Sequence, residues 1–442
     1  DILKNQTVRI NNAIQTQRKL LTTFEKNALA SAKAERSLSE ENLKLAKDLL
    51  TKSPREAMEG IQNIRGKKAI KEKNAVLAYI QCERNKRDSE IDYQFSRKIF
   101  ENAVRDASKE ADATKELKEQ FESLTTAINE REGYKKELVA AENRLLDNFN
   151  AEVSFAEKIA KMTENSRKLG AKNNDKEIAA LEKKLEDRQL EDKQLARQID
   201  DANRLYSFSN DLIAEAIKDG DAKKLAKKLK DLKVAANRQK IYRKKLEAVE
   251  KKILKTNVNS PKTENDKARN ELTKTQLKRE KEDATLAHSM MAKLIDNAIK
   301  KKTDPAILKK QCKELREGIG GRRKYFRIPF GQTRNRLALE RAENNKLQEK
   351  IKREKNDKAI STKSPLNELE SDIANLAVNS QLLALSEKQT ARRVQNTLND
   401  HTLGNAFLET AQRNIDPKEL PKQFKLMKTT VSDRNILTAQ LE

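Results

Sequence analysis

Lys300-Lys-Lys-Thr-Asp-Pro-Ala-Ile-Leu308 is the stretch that decides the fold, because it combines residues that end one helix with residues that begin the next. Asp304 suits the cap position, where a carboxylate accepts hydrogen bonds from the free N–H groups of the first turn. Pro305 suits the first helical position, where no N–H is needed, and the preceding lysines complement the negative end of the outgoing helix. A capping residue also precedes proline at four other places: Ser53-Pro54, Ser260-Pro261, Ser364-Pro365 and Asp416-Pro417.

Two of these starts have the spacing of a capping box, Ser53 with Glu56 and Asp416 with Glu419. Further helix ends are expected at the following breakers: Gly133, Leu169-Gly170, Asp219-Gly220-Asp221 and His401 to Gly404. The chain is therefore predicted to be a series of helices. Its expected regions are an N-terminal helical region (1–175), helical-hairpin repeats with basic helices (176–317), a loop rich in glycine, arginine and aromatic residues (318–331) and a C-terminal helical-hairpin region (332–442).

The composition favours thin helical packing over a thick core. Of 442 residues, 37% are charged and 36% are hydrophobic, and an ordinary globular domain is roughly 45–50% apolar. Long helices that bury narrow stripes need less apolar mass. High charge with few aromatic residues also occurs in disordered chains, but here the apolar residues recur at helical spacing. We expect an all-α protein, an elongated array of long antiparallel helical hairpins or a coiled-coil-like bundle.

Two segments about 80 residues apart resemble each other, Leu212–Ile217 and Leu294–Ile299. After one inserted residue, Leu225, Leu229, Leu232 and Tyr242 correspond to Leu308, Cys312, Leu315 and Tyr325. This similarity predicts a hairpin repeat of roughly 80 residues. The alternative is chance similarity within sequence rich in lysine, leucine and alanine.

The usual catalytic and cofactor motifs are absent from the sequence. The two histidines, His288 and His401, have no metal-ligand spacing, and no phosphate loop or nucleophile elbow is present. Cys82 and Cys312 lie far apart, so neither a disulfide framework nor a zinc site is predicted, and a reducing compartment such as the cytoplasm fits. The first residues lack the basic-then-apolar pattern of a signal peptide. We therefore expect a protein that is not an enzyme and uses neither metal nor cofactor.

The positive charge is concentrated in two segments. The net charge is +25, which favours anionic partners such as nucleic acid, anionic membranes or acidic protein surfaces. Residues 223–252 and 300–327 are the most basic stretches, and a solvated lysine coat is the alternative interpretation, favoured slightly for the first of them. The candidate anion-binding residues lie in the second stretch: Lys300, Lys301, Lys302, Lys309, Lys310, Lys313, Arg316, Arg322, Arg323, Lys324 and Arg327.

The segment Gly318 to Gly331 is predicted to be non-helical and is the first candidate for recognition. Its arginines can grip phosphate, and its rings can stack on bases or enter a membrane interface. Alternatively, the rings close the end of a hairpin and the arginines cap helix C-termini. The candidate aromatic contacts are Tyr325, Phe326 and Phe330.

The most apolar helical face is expected to bind a partner helix. Its residues are Leu369, Ile373, Leu376, Leu382 and Leu385. The window Ile373 to Leu385 is too short and too polar to span a bilayer. Docking of helix on helix, or of a helix in a groove, is the binding mode that suits such a face.

Three functions remain open at this point. The first is a non-enzymatic scaffold or adaptor that binds protein partners through exposed helix faces, with basic surfaces attached to an anionic membrane or an acidic partner. The second is a nucleic-acid binder that uses lysine-rich helices without reading bases, and the third is a structural spacer. Helices this long pair within a chain or between two chains, so a homo-oligomer is also compatible with the sequence.

The lysine- and asparagine-rich, coiled-coil-like composition is similar to that of secreted effectors from intracellular bacteria, which bind host trafficking proteins. The similarity is one of composition alone, and no residue's role is taken from it. It implies that a trafficking protein is a reasonable candidate partner.

Overall fold

The computed structural model describes residues 2–65, 68–106, 113–169, 175–258, 264–322, 328–360 and 366–441. These ranges are helical apart from short connections and contain no strand, which confirms the prediction of an all-α protein. Their helices are α1 (Ile2–Arg36), α2 (Glu40–Leu49), α3 (Pro54–Gln62), α4 (Ala69–Asp106), α5 (Ala113–Leu169), α6 (Asp175–Asp219), α7 (Ala222–Val258), α8 (Glu264–Lys300), α9 (Pro305–Arg322), α10 (Ile328–Ile360), α11 (Leu366–Asn414) and α12 (Leu420–Leu441).

Two predicted helix starts have the expected caps. The Ser53 hydroxyl accepts a hydrogen bond from the Glu56 N–H, and the Ser53 N–H donates to the Glu56 carboxylate, which completes the capping box of α3. At the start of α9, the Asp304 carboxylate accepts a hydrogen bond of 2.7 Å from the Ala306 N–H. The residues within one turn of each helix start therefore predict these two boundaries correctly.

The break between α8 and α9 also has a defined C-terminal cap. Lys302 has a φ of 49°, and the Thr303 N–H donates to the Ala298 carbonyl at 2.8 Å. This is the hydrogen bond of a Schellman motif, which satisfies a carbonyl that the helix leaves free. Gly220, with a φ of 67°, ends α6 in the same left-handed conformation, as its sequence predicted.

The predicted break at Gly318 to Gly331 is wrong where the structure describes it. α9 continues through Arg322 and α10 begins at Ile328; residues 323–327 lie outside the described ranges. A helical glycine costs only about 1 kcal/mol, and here it permits close packing. A Cβ at Gly318 would lie 2.8 Å from the Leu420 Cβ, and one at Gly321 would lie 3.5 Å from the Phe424 Cβ.

Three other predicted boundaries differ from the structure. α5 passes through Gly133, and α11 passes through His401 to Gly404, because packing along each helix outweighs the local preference of one glycine. α12 begins at Leu420, three residues after Pro417, and the Asp416 carboxylate accepts instead from the Lys418 N–H at 3.0 Å. The predicted breaks at Gly170, Ser260-Pro261 and Ser364-Pro365 lie outside the described residues.

The chain divides into two compact units. Unit 1 comprises Asp1–Glu247 and Ile295–Lys309, and unit 2 comprises Ala248–Leu294 and Lys310–Glu442. In unit 1, α5 packs along α6 and α1 along α4, and α2 and α3 close over them. Its core consists of apolar side chains from five helices: Leu49, Ile61, Val76, Leu138, Leu145, Leu195 and Ile199.

In unit 2, α10 packs along α11, and α12 packs against α11. The Phe407 and Phe424 rings lie edge to face, with centroids 6.0 Å apart, and Leu408 and Leu420 are buried nearby. Unit 2 thus has a smaller apolar cluster, at the α11–α12 contact.

Both copies of the predicted repeat have buried apolar residues. Leu212, Ile213 and Ala216 are buried, as are the corresponding Leu294, Ile295 and Ala298. Any two helices that each bury one face show such a pattern, so the hairpin repeat and the predicted region boundaries remain predictions.

Candidate functional site

The contact between α10 and α11 contains a polar seam beside buried apolar residues such as Leu337 and Ile351. The Gln348 amide donates to the Ser380 hydroxyl, and Ser380 donates to the Asn344 side chain at 3.3 Å. Further along, the Arg341 guanidinium pairs with Glu387 at 2.9 Å. Ser380 is buried, so polar side chains occupy positions where two packed helices usually place leucine and isoleucine.

Glu340 is the charged centre of the polar seam. It is buried and accepts hydrogen bonds from Ser386 at 3.0 Å and from Arg336 at 2.8 Å. Burial raises the pKa of the Glu340 carboxyl, but hydrogen bonds from Thr390, Arg336 and Ser386 outweigh burial and hold the pKa below its ordinary value. The seam therefore contains a stably ionised carboxylate.

The opposite side of α11 is apolar and exposed. Val378, Leu382 and Leu385 are 54%, 61% and 55% exposed. Their spacing of four and three residues places them on one face of the helix, which we call the α11 apolar face. α11 therefore has apolar residues on two sides. Leu376, Leu383 and Val394 lie half-buried at the helical spacing of Ser380 and Glu387, on the side that meets α10, whereas Val378, Leu382 and Leu385 remain exposed.

The structure tests the location of only part of the predicted partner-helix face. Leu382 and Leu385 are exposed and Leu376 is half-buried. Leu369 and Ile373 belong to α11, but their side chains lie outside what the structure describes. Val378, an apolar residue of the same helix, is exposed as well.

The predicted anion-binding residues have different environments. Lys300, Lys301 and Lys302 are exposed in unit 1, where the Lys309 ammonium pairs with Asp231 at 2.7 Å. Three of the predicted anion-binding residues are exposed in unit 2: Lys310, Lys313 and Arg316. Arg323, Lys324, Tyr325, Phe326, Arg327 and the Phe330 side chain lie outside the described residues.

Arg322 needs a correction, because it is not a surface residue. Its side chain is 4% exposed and donates hydrogen bonds to the Asp283 carboxylate and the Asn405 side chain. Asp283 and Asn405 come from α8 and α11, so Arg322 links three helices of unit 2. Its charge is neutralised within the protein, and it is not available to an external anion.

A buried ionic network joins α4 and α5 in unit 1. Arg131 is fully buried and donates to Asp92 at 2.6 Å, and Lys135 donates to Asp88 at 2.9 Å. The Tyr206 hydroxyl of α6 also donates to Asp88, at 2.6 Å. Burial raises the pKa of Asp92 to about 6, against the lowering effect of Arg131. The network fixes the register of three helices and includes no open site for a substrate.

Sequence reasoning missed this network. Asp88 and Asp92 are four residues apart on α4, and Arg131 and Lys135 are four residues apart on α5. The only signal was opposite charge at matched spacing. A solvated charged face shows the same pattern, and the two cases can be told apart only when the two helices are known to meet.

A pair of carboxyl groups joins α5 and α6. Glu152 and Asp192 are half-buried and close enough for the charge of one to affect the pKa of the other. Burial, followed by the charge of Asp192, raises the pKa of Glu152 to about 7, while Arg188 lowers it. Near neutral pH the pair therefore shares a proton.

A cavity of about 300 Å³ lies between α5, α6 and α7 in unit 1. Asp201 on its wall accepts hydrogen bonds from Gln239 at 2.6 Å and from Arg243 at 3.1 Å. Tyr134 also lines the cavity, and burial raises the pKa of its hydroxyl. The carboxylate of Asp201 is occupied by donors and no nucleophile lies beside it, so this cavity does not have the arrangement of a hydrolytic site.

The described ranges contain neither a metal-binding cluster nor a membrane-spanning helix. No three His, Cys, Asp or Glu residues there are placed to hold a metal ion together. None of the described helices has the length and apolar character needed to cross a bilayer. Neither cysteine forms a disulfide, and burial raises the pKa of the Cys82 thiol.

No family model, curated protein or solved structure matches this chain. The function is therefore inferred from the residues and contacts described above.

Proposed function

We propose that this protein is a non-enzymatic helical scaffold that binds a partner protein through the α11 apolar face. Basic surfaces attach the scaffold to an anionic membrane or an acidic partner. In this proposal the helices are arranged as antiparallel hairpins, with the repeat of roughly 80 residues expected from the sequence.

The observation that supports the proposal is the exposure of the α11 apolar face. Val378, Leu382 and Leu385 remain exposed although α10 packs against another side of the same helix. Contiguous exposed apolar residues on a soluble surface are typical of interaction sites. Covering each of them would contribute about 1.5–3 kcal/mol before the cost of association.

An amphipathic helix is the partner structure that suits this face. Apolar residues at spacings of three and four interlock with a matching stripe on a second helix. The exposed Lys388 lies three residues after Leu385 on α11, so a cation adjoins the face and favours a partner helix with an acidic edge.

The experiment compares two variants of the full chain. The first carries Leu382→Ser and Leu385→Ser. The matched control carries Leu29→Ser and Ile70→Ser, two equally exposed apolar residues of unit 1. Proteins that crosslink to a photoreactive residue at position 378 are identified and purified, and their affinities for each variant are measured.

We expect the α11 variant to weaken binding about tenfold or more, since two buried side chains are lost at the interface, and the control to bind as the unmodified chain does. Equal binding by both variants would refute the proposal. Sedimentation of the chain alone tests self-association, because loss of a dimer in the α11 variant would identify a second copy as the partner.

A further inference from the structure

The exposed side of α7 within unit 1 is almost entirely lysine. Nine residues between Ala222 and Glu247 are exposed; two are Asn237 and Ile241, and none is acidic. The opposite side is buried through Leu225, Leu229 and Leu232. The other seven exposed residues form what we call the α7 lysine face: Lys223, Lys224, Lys227, Lys230, Lys233, Lys244 and Lys245.

Ion pairs along one edge fix the rotation of α7. Lys223 pairs with Glu119 at 2.7 Å and Lys233 pairs with Glu130 at 2.6 Å. The half-buried Lys240 pairs with Glu137 at 2.6 Å. All three glutamates belong to α5, so these contacts turn the remaining lysines outward.

The outward lysines are available to an external anion. In the described part of the chain, Lys227, Lys230 and Lys244 have no carboxylate within ion-pair distance. Lys245 lies over the Tyr242 ring, 5.9 Å from its centroid, and remains exposed. Lys227 and Lys245, the first and last of these outward lysines, are separated by roughly 27 Å along the helix at 1.5 Å per residue.

The charge and shape of the α7 lysine face favour a lipid surface over a nucleic-acid duplex as the anionic partner. A straight row of lysines meets lipid headgroups along its whole length on a flat bilayer, where each cation adds to the attraction. The phosphates of a duplex curve away from a straight helix. No exposed aromatic or arginine side chain of the α7 face is present to stack on bases.

Ile241 also favours a lipid surface over a nucleic-acid duplex. It is 43% exposed and lies within the lysine face, between Lys230 and Lys244 in the sequence. An apolar side chain among cations can enter the boundary between headgroups and acyl chains. Against the phosphate backbone of a nucleic acid, the Ile241 side chain would bury no apolar surface.

We propose that the α7 lysine face docks on an anionic lipid surface with Ile241 inserted at the interface. The inference rests on the membrane-attachment part of the proposed function and specifies its site. It is independent of the α11 apolar face, which lies in unit 2.

The test measures binding to vesicles of phosphatidylcholine with about 30 mol% phosphatidylserine, and to vesicles of phosphatidylcholine alone. The α7 variant carries glutamine at four positions: Lys227→Gln, Lys230→Gln, Lys244→Gln and Lys245→Gln. The control makes the same charge change on exposed lysines of α1 and α2 in the same unit: Lys19→Gln, Lys26→Gln, Lys33→Gln and Lys44→Gln. Circular dichroism establishes that both variants remain helical.

We expect the unmodified chain to bind only the anionic vesicles, with affinity that falls as salt rises above ~0.1 M. The α7 variant should bind about tenfold or more weakly, and the control within about threefold of the unmodified chain. Ile241→Ser should weaken binding without changing its salt dependence, and this variant keeps the test valid should the fourfold variant unfold.

Several results would overturn the inference. Equal binding by the α7 variant and the unmodified chain would do so, as would binding to a DNA duplex without binding to anionic vesicles. The Leu382→Ser and Leu385→Ser variant should still bind vesicles, so failure of α7 docking and failure of partner binding by α11 are separable.

Discussion

The Arg131 guanidinium donates a 2.6 Å hydrogen bond to the Asp92 carboxylate, and both side chains are buried between α4 and α5. Arg97 and Glu101 form an ion pair of nearly equal length, 2.7 Å, but both side chains are more than half exposed. The two pairs differ mainly in their access to water.

Arg131→Met should therefore destabilise unit 1 by about 3–5 kcal/mol, because it leaves buried carboxylates without their cation. Arg97→Met should cost less than about 1 kcal/mol, because water replaces an exposed partner. Urea unfolding of the two variants checks the prediction. Similar losses for both would mean that burial of the Arg131–Asp92 pair has no energetic consequence.

Alanine substitutions at two glycines of α9 should change the stability of unit 2 in opposite directions. A Cβ at Gly318 would lie 2.8 Å from the Leu420 Cβ, but one at Gly320 would have no neighbour within 4 Å. Gly318→Ala should destabilise unit 2 by about 1–3 kcal/mol through overpacking. Gly320→Ala should stabilise it by about 0.5–1 kcal/mol, because alanine favours the helix. Thermal unfolding distinguishes the two, and a stabilising Gly318→Ala would disprove close packing of α9 on α12.

Replacing Lys302 with glycine should stabilise the protein. The Lys302 φ of 49° is in the left-handed region, where a side chain costs roughly 1–2 kcal/mol. The lysine is exposed, so Lys302→Gly loses little packing and should raise stability by about 1 kcal/mol. Lys301→Gly is the control, since the neighbouring residue has no positive φ, and it should not stabilise. Chemical denaturation of both variants measures the difference.

The Glu152–Asp192 pair should make stability depend on pH. The folded pKa of Glu152, about 7, is raised above the ordinary value of 4.5, mainly by burial. The folded state therefore holds a proton that the unfolded state releases. The contribution is full below pH 4.5 and is lost as pH rises through 7.

Glu152→Gln should remove that pH dependence, because an amide can donate a hydrogen bond to Asp192 without titrating. Groups that face the pair from the same two helices, Arg188, Asn148 and Glu191, are unchanged in this variant. The measurement is the free energy of unfolding across pH 5 to 8, a range on either side of the folded pKa near 7. An identical slope in the variant and the unmodified chain would rule out Glu152 as the titrating group.

The features predicted correctly from sequence depend on a few adjacent residues. Ser53 and Asp304 cap their helices, and Gly220 ends α6, because each effect acts within one turn of the chain. Such local rules need no knowledge of neighbouring helices.

The features predicted wrongly depend on residues far away in sequence. Gly318 looks like a loop residue until Leu420 of α12 lies against it. Arg322 looks like a surface cation until Asp283 and Asn405 surround it. Neither neighbour is recognisable from the segment itself, since distant packing outweighs local preference at both positions.

The candidate site was predicted in part. The apolar periodicity of α11 selected Leu382 and Leu385, which are exposed. Periodicity alone could not tell which side of α11 meets α10, because an apolar stripe ordinarily faces the neighbouring helix. The lysines of α7 were recognised as a charge concentration, but their separation into paired and outward sets required the positions of the α5 glutamates.

The serine, asparagine and glutamine contacts between α10 and α11 are ones that water can replace bond for bond. Detaching α11 from α10 therefore exposes a mixed surface, in which these polar groups lie beside a few apolar side chains such as Leu337 and Ile351, whereas separating α5 from α6 exposes a core of leucine and isoleucine. A partner that offers α11 an apolar stripe competes with amide and hydroxyl contacts and with fewer apolar contacts than the core of unit 1 contains.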